Sequence, residues 1–166
     1  MALYTIQNGP MPTTASFVAV TTGTAIKTLL QLKPFNVVKI IEWGISFDGS
    51  AAATPIEVEL VDTGTVFATV TANADADIMK LDGAEGAVAS VAGLTLGTAA
   101  TGYTASAEGT ITATKLFDVQ FIAPTNQYVK QFPLGREPKC IIGNSVRIRV
   151  KAAAAVNAIA YMVIEI

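Results

Sequence analysis

The sequence predicts an all-β protein, a β-sandwich drawn most simply as an eight-stranded jelly roll with one long inserted loop. Three observations carry this expectation. Apolar and polar residues alternate with period two along most of the chain, in runs rich in Val, Ile, Thr and Phe. Turn residues (Gly, Asp, Asn and Pro) punctuate those runs. No long segment has helical periodicity, and no repeat of about 20 to 50 residues is visible, which argues against a propeller or solenoid. A Greek-key sandwich is the alternative topology.

Taken in order, residues 16–21 alternate as a first strand, and a turn at Thr22 and Gly23 follows. Ile26, Thr28, Leu30 and Leu32 then share one face against Lys27 and Gln31, and Pro34 ends that strand because it cannot donate to a ladder. Residues 37–48 form the longest strand, with Ile41, Trp43, Ile45 and Phe47 toward the core and Glu42, Gly44, Ser46 and Asp48 outward. Ile56, Val58 and Leu60 alternate with Glu57 and Glu59, and Asp62-Thr63-Gly64 turns into a strand over 66–71. From 72 to 109 the pattern dissolves into an Ala/Gly/Thr-rich insertion in which residues 74–81 suit about two helical turns. Alternation resumes with Lys115, Phe117, Val119 and Phe121 on one face. A short extended piece over 127–132 leads to the irregular LGREP, residues 134–138. Val146, Ile148 and Val150 alternate with Arg147, Arg149 and Lys151 before a closing strand over 156–166. The organisation expected is an N-terminal arm, 1–14, and a single sandwich domain, 15–166, with 72–109 as the loop insertion.

Composition narrows function. The 166 residues contain no His and one Cys, which excludes Ser–His–Asp and Cys–His catalysis, histidine metal ligation and an intrachain disulfide. Eleven basic and thirteen acidic residues give a net charge of −2, with no broad basic footprint for nucleic acid. The mean hydropathy is +0.49. Even so, the uncharged run 86–107 is built from Ala, Gly, Thr and Ser and lacks the roughly 20 large apolar residues of a membrane helix. The first 26 residues carry no charge and include Pro10 and Pro12, unlike a secretory leader, so a soluble, unexported chain is expected. Charged residues make up only 14%, which suggests a surface partly covered by partner molecules.

Individual clusters read mostly as structure. Asp75, Asp77, Asp82 and Glu85 lack the fixed glycine and terminal bidentate Glu of a calcium loop and read as solvated loop acids, with a divalent cation as the alternative. Glu57 and Glu59 sit about 7 Å apart on one strand face, a solvated row rather than a glycosidase pair. Trp43 belongs to the core rather than to a sugar platform, and Cys140 reads as a small buried hydrophobe. Arg147, Arg149 and Lys151 form a basic row that either pairs with acids such as Glu57 and Glu59 or docks onto an acidic partner. No phosphate-binding glycine loop is present. No catalytic residue, metal site or cofactor is expected.

Three segments together, IIEWGISFDG (40–49), APTNQYVKQFPLGREP (123–138) and VRIRVKAAAAVNAIAYMVIEI (146–166), resemble small virion proteins of tailed bacteriophages and prophages, the jelly-roll capsid decoration or cement proteins. The resemblance covers about a third of the chain, with LGREP its most distinctive piece. It implies a homotrimer on the outer capsid surface, made in the host cytoplasm, that clamps neighbouring major capsid subunits without catalysis, nucleic acid or membrane. Interface residues expected on this basis are Leu134, Arg136, Glu137, Arg147, Arg149 and Lys151, with Leu3, Tyr4 and Ile6 of the arm. A carbohydrate- or receptor-binding module of a fibre or tail, or another structural virion component, is the alternative.

Overall fold

Alternation becomes structure where one face of a strand finds a core, and here two sheets supply it. The computed structural model describes residues 2–50, 53–83 and 92–166. In chain order its strands are β1 (Leu3–Gln7), β2 (Val20–Thr21), β3 (Lys27–Leu32), β4 (Val38–Asp48), β5 (Ile56–Asp62), β6 (Thr69–Ala72), β7 (Ile78–Lys80), β8 (Gly102–Ala107), β9 (Lys115–Ile122), β10 (Gln127–Gln131), β11 (Lys139–Cys140), β12 (Val146–Lys151) and β13 (Asn157–Glu165). The first sheet runs β10-β4-β13-β1-β7, with β11 beside β4 and β2 beside β13. The second runs β6-β8-β3-β12-β5-β9. All strand pairs are antiparallel. The chain is an all-β sandwich.

The core lies between the sheets. Tyr4, Ile6, Ile40, Trp43, Ile45, Ala160, Met162 and Ile164 from the first meet Leu30, Leu32, Val58, Leu60, Ile148 and Val150 from the second. Each buried aliphatic of this size contributes about 1.5–3 kcal/mol, which is why the period-two rows dictate the fold. Among the described residues no helix is long and apolar enough to cross a membrane.

Several expectations change at the level of single residues. The first residues are not an arm: β1 lies inside the first sheet between β13 and β7, with Tyr4 and Ile6 fully buried. Residues 72–109 are not one loop. They hold a 3-10 turn at Asp75–Asp77 instead of two helical turns, and they contribute β7 and β8, one to each sheet. The strand expected over 16–21 shrinks to β2.

Two bulges also flip faces, because one extra residue reverses the alternation beyond it. The register shift opposite Val163/Ile164 puts Ile40 in the core and leaves Ile41 half-exposed. The shift at Ile148/Arg149 buries Leu29 and turns Thr28 to the outer face. On β9, Val119 and Phe121 of the row read on one face point outward, opposite Glu59 and Glu57. Its inner row, Asp118, Gln120 and Ile122, closes the margin of the sandwich.

Candidate functional site

The basic row on β12 shows how this protein uses charge. Arg147, Arg149 and Lys151 share the outer face of the second sheet, but their surroundings differ along it. Arg147 is fully buried, Arg149 half-buried and Lys151 exposed. Arg147 is covered because the connection after β5 and the residues after β8 cross over this face. Its guanidinium donates to the Glu108 carbonyl at 3.0 Å, to Glu108 Oε2 at 3.2 Å and to the Val66 carbonyl. Burial pulls the Arg147 pKa down from its usual value, and the Glu108 charge opposes this. Beside it, buried Gln31 donates to the carbonyl of Ala100 at 2.7 Å and accepts from the Ala68 amide at 2.8 Å. Glu108 completes the clasp by accepting from the Thr28 amide and hydroxyl, both at 2.6 Å.

Arg147 is therefore an internal fastening, contrary to the expectation of an exposed docking residue. Arg149 holds Glu59 Oε1 through Nε at 2.6 Å and through its terminal nitrogen at 2.5 Å. This is the cross-strand pairing expected for the row, and Lys151 faces Glu57 in register.

The acidic run separates likewise. Asp77 is buried rather than solvated: its carboxylate accepts from the Ala74 amide at 2.7 Å and the Met11 amide at 2.8 Å. Glu85 lies outside the described residues. Among the described residues no three His, Cys, Asp or Glu side chains gather as metal ligands. Trp43 is buried with its ring edge-on to Tyr128 at 5.4 Å, so it offers no sugar platform. Cys140 is buried as expected, and burial, reinforced by the Asp62 charge, pushes its thiol pKa to about 12.

LGREP projects from the end of β10. The Arg136 amide donates to the Pro133 carbonyl at 2.9 Å, and Gly135 adopts φ +81°, a conformation that disfavours a side chain. Glu137 accepts from the Gly135 amide at 2.8 Å, and the Ile40 amide donates to the Pro138 carbonyl at 2.9 Å, tying the loop to β4. Its own backbone amide and that of Gly135, with Lys39 and Lys139 nearby, lower the Glu137 pKa. Glu137 thus braces the loop, while Arg136 is exposed and does not bridge to it; among the described residues the salt bridges are four other pairs. Leu134 is 97% exposed. It overhangs a shallow groove of about 460 Å³ whose wall includes Leu3, Ile41, Phe132 and Glu165. Of the three arm residues expected at an interface, only Leu3 reaches the surface, in this groove; Tyr4 and Ile6 are core.

Among the described residues the outer face of the first sheet is less covered. The outer row of β13, Ile159, Tyr161 and Val163, is half-exposed, whereas its inner row is buried. Tyr161 lies on Gly44, whose missing side chain makes room for the ring, and donates to Glu42 at 2.6 Å. At one end of the sandwich Phe35, Val37, Ile141 and Ile142 stand exposed on two crossing connections, and the sequence reading passed them over. Their signal was present: Phe35 and Val37 flank Asn36, and the pair Ile141-Ile142 runs into the turn-forming Gly143-Asn144.

Compared with known proteins, the chain matches no family model, no curated protein and no solved structure.

Proposed function

We propose that this chain is a structural virion protein: a jelly-roll capsid decoration, or cement, protein of a tailed bacteriophage. In this reading it seats as a homotrimer on the outer surface of the major capsid shell and stabilises it by binding alone. The observation that carries the reading is the division of labour among the charged and apolar groups. Arg147, Arg149, Glu59, Glu108, Asp77 and Glu137 are committed to fastening the fold. What projects is a braced loop bearing Leu134 and Arg136 beside a shallow groove. Such a surface suits a protein footprint better than a reaction, because a stiff loop loses little entropy on docking. The three segments that resemble decoration proteins include this loop.

The test is copurification with capsids at a fixed ratio to the major capsid subunit, together with Arg136→Ala. Loss of capsid occupancy with an unchanged Tm of the free protein supports capsid contact through the loop. A chain that stays free of particles in an infected lysate refutes the reading. A second reading, a glycan-binding module, is favoured by the half-exposed Tyr161 ring beside Glu42 on the outer face of the first sheet. Glycan-array binding abolished by Tyr161→Ala would establish it instead.

A further inference from the structure

Two connections cross the same end of the sandwich side by side. Residues 33–37 pass from β3 in the second sheet to β4 in the first, and residues 141–145 return from β11 to β12. Pairing brackets them at both ends, with Cys140 opposite Val38 and Val146 opposite Leu32. The tips of both connections are therefore neighbours. They carry Phe35 at 42% exposure, Val37 at 47%, Ile141 at 53% and Ile142 at 62%.

Loops that merely join strands are normally polar, so four large apolar side chains concentrated on two adjacent tips need a reason. Taking roughly 150–200 Å² for a fully exposed side chain of this size, these fractions leave about 350 Å² of apolar surface open to water. One side of a standard interface buries about 800 Å², of which about 65% is apolar in homodimers, or roughly 520 Å². These four side chains thus supply about two-thirds of the apolar area that one copy needs to bind another.

Its charges favour a second copy over an oppositely charged partner. Lys33, Lys39, Lys139 and Arg136 stand against Asp62, Glu137 and Glu165, four cations to three carboxylates. Most of these are engaged locally. Lys39 pairs with Glu165 at 2.7 Å, the Lys33 ammonium sits 4.1 Å from the Phe67 ring centroid, and Asp62 accepts from Asn144 at 3.1 Å. A nearly balanced patch neither repels its own copy nor steers a strongly charged one.

We infer that copies of this chain associate through the end formed by residues 33–37 and 141–145. The inference rests on the proposed self-association and names its surface.

Sedimentation velocity of the full chain from about 1 to 100 μM, spanning ordinary transient affinities, tests it. The variants are Val37→Lys and Ile142→Lys, one on each connection, with Phe121→Lys as a control at the opposite end, where that side chain is 73% exposed. Wild type should associate, and both end variants should do so at least about tenfold more weakly, since truncating a central apolar anchor commonly costs that much. Their Tm should match wild type, and Phe121→Lys should associate normally. If a Lys variant melts lower, Ile142→Thr is read in its place. End variants that associate as wild type does overturn the inference and leave the trimer standing. Weakening only by Phe121→Lys moves the contact to β9 and likewise overturns it. A wild-type chain that is monomeric throughout overturns both the surface and the trimer, while capsid copurification is judged separately.

Discussion

Removing the carboxylate of Glu108 should cost this fold far more than an ordinary surface substitution. Glu108 stands 25% exposed, but the guanidinium it holds is wholly buried. In Glu108→Ala that guanidinium keeps two carbonyl bonds, to Val66 and to residue 108, and loses its counter-charge. The Thr28 amide and hydroxyl lose their acceptor at the same time. Breaking a buried ion pair from one side costs about 3–5 kcal/mol, and partial access of water to the vacated site brings the expectation to the lower end, about 3 kcal/mol. For a domain of this size that is a Tm drop of roughly 6–12 °C. Urea unfolding should show it as a lower midpoint with an unchanged slope. The double variant Glu108→Ala/Arg147→Met removes the stranded charge as well, so it should recover part of the loss. Added salt should change little, because the clasp is shielded from solvent ions. A loss below about 1 kcal/mol, or a double variant no more stable than Glu108→Ala, would refute the view that Glu108 neutralises a buried charge.

Other outcomes follow from the margin where β9 meets β10. Burial works to raise the Asp118 pKa, but hydrogen bonds from Tyr128, Gln120 and Lys130 outweigh it and leave the pKa depressed. A depressed carboxyl stabilises the fold above its unfolded pKa of about 3.9 and loses that contribution as pH falls through the folded value. Acid unfolding of Asp118→Asn, followed by circular dichroism below about pH 4, should therefore be flatter than wild type. Burial and Asp118 push the Tyr128 phenol to about 12, so its contribution is complete below pH about 10 and fades as pH rises toward 12. Tyr128→Phe should be less sensitive over that alkaline window, and an unchanged slope would contradict the assignment. Gly44→Ala would place its new carbon 2.5 Å from the Tyr161 ring, so we expect a loss of about 1–3 kcal/mol in thermal unfolding and release of the Glu42 bond. Glu137→Ala should lower Tm by loosening LGREP, whereas Arg136→Ala should leave it unchanged.

Much of the sandwich was legible because the inner rows of its central strands, β4 and β13 among them, are apolar. Trp43, Ile45 and Phe47 on β4 read correctly, since a one-residue slip would have turned the row to water. The errors cluster where that rule is locally suspended. A bulge adds a residue without leaving a mark in composition, so Ile41 and Thr28 were assigned to the wrong faces. In β1, Tyr4 and Ile6 do alternate with Leu3, Thr5 and Gln7, but the closeness of Gly9-Pro10 and the absence of charge made the segment look like a tail. β8 was hidden for another reason. Its Gly102 is needed because β6 passes so close that a side chain there would run into Val70 and the Thr71 carbonyl, and such a glycine reads as loop.

The same limit governs the candidate surface. Alternation fixes the side of a sheet that a residue takes but says nothing of what lies over that side. On β12 the residues Arg147, Arg149 and Lys151 are equivalent by pattern, yet they grade from buried to exposed. The grading is set by Val66 and Glu108, which sit in connections outside the strands. The chemistry of the residues still carries some of the missing information. A guanidinium presents five donors in a fixed fork and can satisfy two carbonyls and a carboxylate at once, whereas an ammonium gathers its donors at one point. Arg at the covered position and Lys at the open one is the order that such a covering layer requires. LGREP inverts the logic, because its brace comes from Glu137 bonding back to the Gly135 amide, a two-residue contact visible in sequence once the turn is drawn. With the carboxylate occupied inward, Leu134 and Arg136 are left pointing at whatever the protein meets.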